Sequence, residues 1–96
     1  MVTPEGKVKK KVKKILDSVG AYYIMPVSGG YGRHGIPDFL VCWQGKFTAI
    51  ETKAGKGVPT ALQYREMEKI VKAGGSALVI NENNIADLEG VFNATT

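Results

Sequence analysis

The chain has 96 residues, of which 44% are hydrophobic and 23% are charged, in the proportions of one small globular domain. Its single cysteine, Cys42, excludes an internal disulfide and favours a reducing, intracellular setting. No apolar run is long enough to span a membrane, so we expect a cytoplasmic protein that makes no membrane contact.

The net charge of +4 is concentrated near the N-terminus. Six lysines lie within eight residues there: Lys7, Lys9, Lys10, Lys11, Lys13 and Lys14. The rest of the chain carries seven basic and nine acidic residues, a balance of −2. Such a local basic segment indicates contact with a polyanion, although a solvated helix face would have the same composition.

The first predicted element is a helix that carries these lysines. Thr3 is a typical N-cap, Pro4 suits the first helical position, and Glu5 places an acid in the first turn. Gly20 predicts the end of the helix. Apolar residues follow the helical spacing between them: Val8, Val12, Ile15, Leu16 and Val19.

Three predicted strands follow this helix. Residues 21–27 are β-prone, with Pro26 at the end or edge of the strand, and residues 28–37 form a glycine-rich loop. Residues 38–43 and 47–53 predict two further strands around a turn that contains Gly45.

The last part of the chain predicts a second helix, a fourth strand and a weak final helix. Thr60 would cap the second helix after a loop at residues 54–59, and its apolar positions are Leu62, Met67, Ile70 and Val71. Gly74 and Gly75 would end it. Ser76 to Ile80 is nearly all apolar, which predicts a buried or central strand, and after a turn the final helix would span residues 85–92.

The hairpin of residues 38–53 places its acids close together. If Gln44 and Gly45 form the turn, Asp38 lies opposite Glu51; if the turn is Gly45-Lys46, Asp38 lies opposite Lys53. In either register these three side chains share one face, and directly opposed Cβ atoms lie about 4.5–5.5 Å apart. Two carboxylates and a lysine on one face therefore predict a bound cation.

The chemistry of these oxygen ligands favours a hard ion, Mg²⁺ or Mn²⁺, over Zn²⁺. Such an ion can polarise a phosphodiester and lower the pKa of a bound water. Lys53 could orient or deprotonate that water, or stabilise charge that develops on the phosphate. The alternative is structural: Asp38 closes a turn after Pro37, and the other two residues lie on a solvated strand face.

The segments "GIPDFLV" and "AIETK" resemble the signature of the PD-(D/E)XK nuclease superfamily. More closely, "GRHGIPDFLVCWQGKFTAIETKAGKGVPTALQ" is similar to the VRR-NUC group, the virus-type replication-repair nucleases. The resemblance runs from "TPE" to "ALVI". It implies a single domain over residues 1–96 with an α/β, restriction-endonuclease-like core, in which a mixed sheet flanked by helices follows the order α-β-β-β-α-β-(α).

The resemblance also implies roles for particular residues. Asp38, Glu51 and the Thr52 carbonyl would bind the metal, and Lys53 would be the catalytic lysine. Glu5 would reach the metal directly or through water, although an acid at that position also suits the helix dipole. Gln63 matches the family's glutamine and would be a catalytic residue, although the sequence alone fits a polar surface residue equally well. The residues we expect to bind DNA are Lys7, Lys10, Lys11, Lys14, Arg33 and Lys56.

The implied activity is that of a free-standing, phage-like endodeoxyribonuclease in DNA repair, acting in the host cytoplasm. It would use Mg²⁺ or Mn²⁺ and cut branched DNA, such as four-way junctions, as a homodimer. Tyr22 to Met25 and the final helix are candidate dimer surfaces. Two alternatives remain open: a DNA-binding module with an inactive nuclease site, and an archaeal-type Holliday-junction resolvase on the same fold.

Overall fold

The computed structural model describes residues 2–27 and 34–93. Their elements, in chain order, are α1 (Pro4–Ser18), β1 (Tyr22–Ile24), β2 (Phe39–Trp43), β3 (Lys46–Thr52), α2 (Ala61–Lys72), β4 (Ser76–Ile80) and α3 (Ile85–Asn93). The strands form one mixed sheet in the order β1-β2-β3-β4, in which β4 alone runs parallel to its neighbour. The expected α/β class and element order are therefore confirmed.

The first helix starts and packs as its sequence predicts. The Thr3 hydroxyl accepts a hydrogen bond from the Gly6 N–H at 3.0 Å, which satisfies one of the free donors at the helix start. Three residues of α1, Val8, Val12 and Leu16, are fully buried. They form the core with side chains of the sheet and of α3: Phe39, Val41, Ile50, Ile80, Leu88 and Phe92.

The turn between β2 and β3 fixes the register of the hairpin. Gln44 and Gly45 both have positive φ, 48° and 78°, as in the two-residue turns that suit the twist of antiparallel strands. The strands then pair with Phe39 opposite Ile50 and Trp43 opposite Lys46. This is the first of the two predicted registers, and it brings Asp38, just before β2, next to Glu51 near the end of β3.

The second helix lies against the sheet face opposite to the core. It packs on β4, and at Gly75 an added Cβ would lie 2.9 Å from Ile70 and 3.1 Å from Phe47. Thr48 pairs with the core residue Val41 and so lies on the core face of the sheet. Because side chains alternate along a strand, the side chain of the preceding residue, Phe47, points to the opposite face. The part of this face near β1 stays open, because Tyr22 and Ile24 are 75% and 51% exposed.

The fourth strand and the second helix are less buried than their apolar residues predict. The fourth strand is an edge strand, and apart from Ile80 its residues are exposed or only partly buried. Cys42 is also exposed, because its side chain lies on the open part of the sheet face. On α2 only Met67 is buried, while Leu62 and Val71 are 49% and 54% exposed.

The first strand, Tyr22–Ile24, is also shorter than the segment predicted for it. Its edge position is consistent with Pro26 just beyond its end. Within the described ranges, no helix has the length and apolar character needed to cross a membrane.

Candidate active site

The carboxylate of Asp38 is held by the residue that follows Glu51. Its Oδ2 accepts one hydrogen bond from the Thr52 backbone N–H at 3.0 Å and another from the Thr52 hydroxyl at 2.5 Å. Thr52 is fully buried, so both donors are fixed by the sheet. The Asp38 side chain is 21% exposed. These bonds orient the carboxylate and leave its Oδ1 without a hydrogen bond from Thr52.

The carboxylate of Glu51 is almost completely buried, with only 2% of its side chain exposed. Its Oε1 accepts a hydrogen bond from the Asp38 N–H at 3.2 Å, and its Oε2 lies 3.3 Å from the Lys53 Nζ. Burial and then repulsion from Asp38 raise the pKa of Glu51, and Lys53 offsets only part of this effect. The charged form of Glu51 is therefore less favourable here than that of a glutamate in water.

Two lysines contact these acids from different sides. Lys53 is 15% exposed and pairs with the buried Glu51. Lys9, on α1, lies with its Nζ 3.6 Å from the Asp38 Oδ1 and 4.0 Å from the Glu5 Oε2. Lys9 lies one helical turn after Glu5 on α1, and it pairs with both Glu5 and Asp38. Glu5 is therefore linked to the predicted site through Lys9.

The donor set fits a hard divalent ion. Asp38 and Glu51 contribute oxygen ligands only, and Mg²⁺ in proteins commonly binds one or two carboxylates together with water and substrate phosphate. Burial and the neighbouring Asp38 disfavour the charged form of Glu51, and a bound cation would offset both effects. Within residues 2–27 and 34–93, no three or more His, Cys, Asp and Glu side chains form a group able to hold a metal. The metal-binding roles of Glu5 and of the Thr52 carbonyl stay predictions.

The predicted glutamine lies at the start of α2. The Gln63 Oε1 accepts from the Thr60 N–H at 2.8 Å, and the Thr60 hydroxyl accepts from the Gln63 N–H at 3.2 Å. This reciprocal pair is a capping box, so the side chain stabilises the helix start in addition to any part in catalysis.

A glycine fixes the approach of the Pro-Asp segment to this helix. Gly35 has φ +82°, and a Cβ there would lie 2.6 Å from the Leu62 carbonyl oxygen. Any other residue would meet both the strained φ and the α2 backbone. Gly35 therefore sets how residues 35–38, which lead to Asp38, meet the start of α2.

The lysines predicted to bind DNA lie on α1 and in the loop before α2. Lys7, Lys10, Lys11 and Lys14 are all on α1, where Lys11 and Lys14 border the groove between α1 and α3, next to Ile15 and Ile85. Lys56 is exposed in the loop before α2, where the Gly57 N–H bonds the Ala54 carbonyl. The prediction for Arg33 lies outside the described residues.

Two contacts of the site escape prediction from the sequence. The spacing of Glu5 and Lys9, four residues apart on a helix, predicts an ion pair, but nothing in the sequence indicates that Asp38 joins it. The sequence likewise indicates no part for the side chain of Thr52, whereas its hydroxyl donates to Asp38. Both contacts depend on how α1 and the hairpin pack together.

Comparison with known proteins places the chain among nucleases by structure. A solved structure described as a VRR_NUC domain superposes with a TM-score of 0.76 at 30% sequence identity, covering 90% of this chain and 92% of its own. Hjc of Archaeoglobus fulgidus, described as a Holliday junction resolvase, superposes with a TM-score of 0.51 at 25% identity, covering 76% of this chain and 64% of its own.

Searches against protein-family models and curated proteins give no match. The relationship is therefore carried by the solved VRR_NUC structure, which shares almost its whole length and nearly a third of its residues with this chain. Together with the mixed sheet and the hairpin that brings Asp38 to Glu51, this similarity shows that the chain belongs to the VRR_NUC family.

Proposed function

We propose that this protein is a divalent-metal-dependent endodeoxyribonuclease that cuts branched DNA. The observation that carries the proposal is the convergence of Asp38 and Glu51, with Lys53 within 3.3 Å of the buried acid. A domain that only binds DNA has no need to bury an acid beside a second acid, since this arrangement lowers stability. Membership of the VRR_NUC family supports nuclease chemistry.

Asp38 and Glu51 would hold Mg²⁺ or Mn²⁺ in this mechanism. When bound, the ion would polarise the phosphodiester and lower the pKa of the attacking water. Thr52 keeps the Asp38 carboxylate in one orientation through its two hydrogen bonds. Preorganised ligands of this kind need little rearrangement during the reaction.

Lys53 would act on the reacting groups themselves. Its side chain is 15% exposed and its ammonium is held by Glu51, so its position is well defined. From there it could orient the attacking water or stabilise the negative charge that builds up on the phosphoryl oxygens. Gln63 and Glu5 would assist at the rim of the site, and the lysines of α1 would hold the DNA backbone.

We further propose that the substrate is a four-way junction or a related branched DNA, and that the protein acts as a homodimer. The similarity to Hjc, described as a Holliday junction resolvase, supports this substrate. A two-fold dimer would present two identical sites to the two symmetry-related strands of a junction. The exposed apolar residues of β1 favour that edge as the dimer surface over α3, whose Leu88 and Phe92 are already buried in the core.

The test is a cleavage assay with labelled duplex, flap, splayed-arm and four-way-junction DNA in Mg²⁺, Mn²⁺ or EDTA. We expect cleavage of branched substrates only with metal, and no cleavage by Asp38→Asn or Glu51→Gln. Glu68→Gln is the matched control, because Glu68 also pairs with a lysine at 3.3 Å but is 69% exposed. Cleavage by either site variant near the wild-type rate would show that the proposed metal site is wrong.

The same gel separates the alternatives. Junction binding without cleavage in either metal would favour a DNA-binding module. Equal cleavage of linear duplex and junction would retain the nuclease and remove the preference for branched DNA.

A further inference from the structure

The two oxygens of the Asp38 carboxylate have different surroundings. Oδ2 accepts both hydrogen bonds from Thr52, whereas Oδ1 faces the Lys9 ammonium at 3.6 Å. The same ammonium lies 4.0 Å from Glu5. Since Oδ1 carries no hydrogen bond from Thr52, it is the Asp38 oxygen that is free to bind a metal, and Lys9 lies against it.

We propose that Lys9 is an internal counter-ion of Asp38 that a divalent cation displaces, so that Lys9 sets the metal affinity of the site. This inference rests on the metal-dependent function proposed above. It assigns to Lys9 a part separate from that of the other lysines of α1, for which only contact with the DNA backbone was predicted.

The exposure of the ion pair supports displacement. The side chains of Lys9 and Asp38 are 37% and 21% exposed, and ion pairs with this access to water contribute little to stability. The long, flexible lysine side chain can swing away without moving the helix. Asp38 and Glu51 would both attract a divalent ion held between them, whereas Lys9 is paired with Asp38 and Glu5.

Lys53 differs from Lys9 in this respect. Its partner is buried and its own side chain is 15% exposed, so removing it would leave the charge of Glu51 without a cation. Of these two cations, Lys53 is tightly held, whereas Lys9 is more exposed and weakly held. Lys9 is therefore the one suited to exchange with a metal.

Mn²⁺ binding measured by calorimetry without DNA tests the proposal. Lys9→Met removes the ammonium but keeps most of the aliphatic chain, and we expect it to bind Mn²⁺ about three- to tenfold more tightly than wild type. Lys13→Met is the matched control, because it removes the same charge from an exposed position of α1 four residues further on. It should change the affinity by less than about twofold at roughly 0.15 M salt, because screening weakens charges that are not in contact.

A second variant separates the charge from the side chain. Lys9→Arg keeps the positive charge and can hold a carboxylate through two hydrogen bonds, so its Mn²⁺ affinity should equal or fall below that of wild type. Circular dichroism of each variant checks that the fold is retained.

The outcomes distinguish this proposal from the function on which it rests. Wild-type Mn²⁺ binding with equal affinities for Lys9→Met and Lys13→Met would overturn the part assigned to Lys9 and leave the metal site intact. Weaker binding by Lys9→Met would also overturn it, because Lys9 would then support the metal. No Mn²⁺ binding by wild type or any variant would overturn the metal-dependent function and the displacement together.

Discussion

Replacing Glu51 with Gln should make the metal-free protein more stable at neutral and alkaline pH. Burial and the neighbouring Asp38 raise the pKa of Glu51 in the folded protein above its ordinary value of 4.5. The folded state therefore binds this proton more tightly than the unfolded chain does. The associated stability is fully present below the ordinary pKa and is lost as the pH rises through the folded pKa. Gln does not titrate, so the variant avoids that loss.

The magnitude follows from opposing contributions at the site. With 2% of its side chain exposed, the carboxylate loses nearly all of its hydration, which costs several kcal/mol for a buried ion. Lys53 at 3.3 Å and the Asp38 N–H at 3.2 Å offset most of this, since hydrogen bonds to charged groups contribute about 1.5–3 kcal/mol each. We expect a net gain on the order of 1 kcal/mol for Glu51→Gln, which corresponds to about 4–8 °C in a domain of this size.

Thermal unfolding followed by circular dichroism in EDTA measures this effect. The advantage of Glu51→Gln should be smallest near pH 4 and should grow towards pH 8. Glu68→Gln makes the same chemical change in an exposed ion pair and should stay within about 0.5 kcal/mol of wild type at each pH. With Mn²⁺ the order should reverse, because only wild type keeps both carboxylates and gains binding energy. A Glu51→Gln protein that loses stability relative to wild type as the pH rises would refute the electrostatic argument.

Three further predictions concern the loop, the lysines and the assembly. Gly35→Ala should destabilise the protein by roughly 2 kcal/mol or more in urea unfolding, because a Cβ would lie 2.6 Å from the Leu62 carbonyl oxygen. Gly55→Ala is the control, since Gly55 also has a positive φ, +60°, but has open space around it, and it should destabilise the protein less. Equal destabilisation by the two variants would contradict the close approach at Gly35. Changing Lys10, Lys11 and Lys14 together to Gln should weaken binding to all DNA sequences. The slope of log affinity against log salt concentration should become shallower by up to about 0.9 for each phosphate that the variant no longer neutralises. An unchanged slope would mean that these lysines form only a solvated helix face. Analytical ultracentrifugation should give a dimer of the 10.3 kDa chain, and a monomer with and without junction DNA would contradict the assembly. Mixed dimers of wild-type and Asp38→Asn subunits should nick a cruciform plasmid rather than linearise it.

The parts of the fold that the sequence predicted well are those with local causes. The Thr3-Pro4 start of α1 and the Thr60 cap of α2 depend on atoms within three residues of the cap, so short motifs specify them. The hairpin register depends on which two residues adopt positive φ. Because Gly45 could occupy either position of the turn, the sequence left two registers open, and the structure selects Gln44-Gly45.

The parts that the sequence did not predict depend on how the layers cover one another. An apolar strand such as Ser76–Ile80 looks central in the sequence, but in the sheet of the described residues it has one neighbour, β3, and lies at the edge. Cys42 is exposed because α2 covers only part of its sheet face. The approach of Lys9 to Asp38 likewise requires two elements that are far apart in the chain to pack together.

The candidate site keeps an electrostatic imbalance that the rest of the fold has to tolerate. Glu51 alone would be neutralised by Lys53, but the nearby Asp38 adds a second negative charge, and the pKa of Glu51 rises because burial and this charge outweigh the lysine. Local features that oppose stability are expected mainly where function requires them. Thr52 holds Asp38 in this unfavourable arrangement through Oδ2, and Lys9 lies against the other oxygen, Oδ1. An arrangement that fixes one acid, buries the other and leaves their shared charge to an exchangeable cation is the one that a metal-dependent nuclease would need.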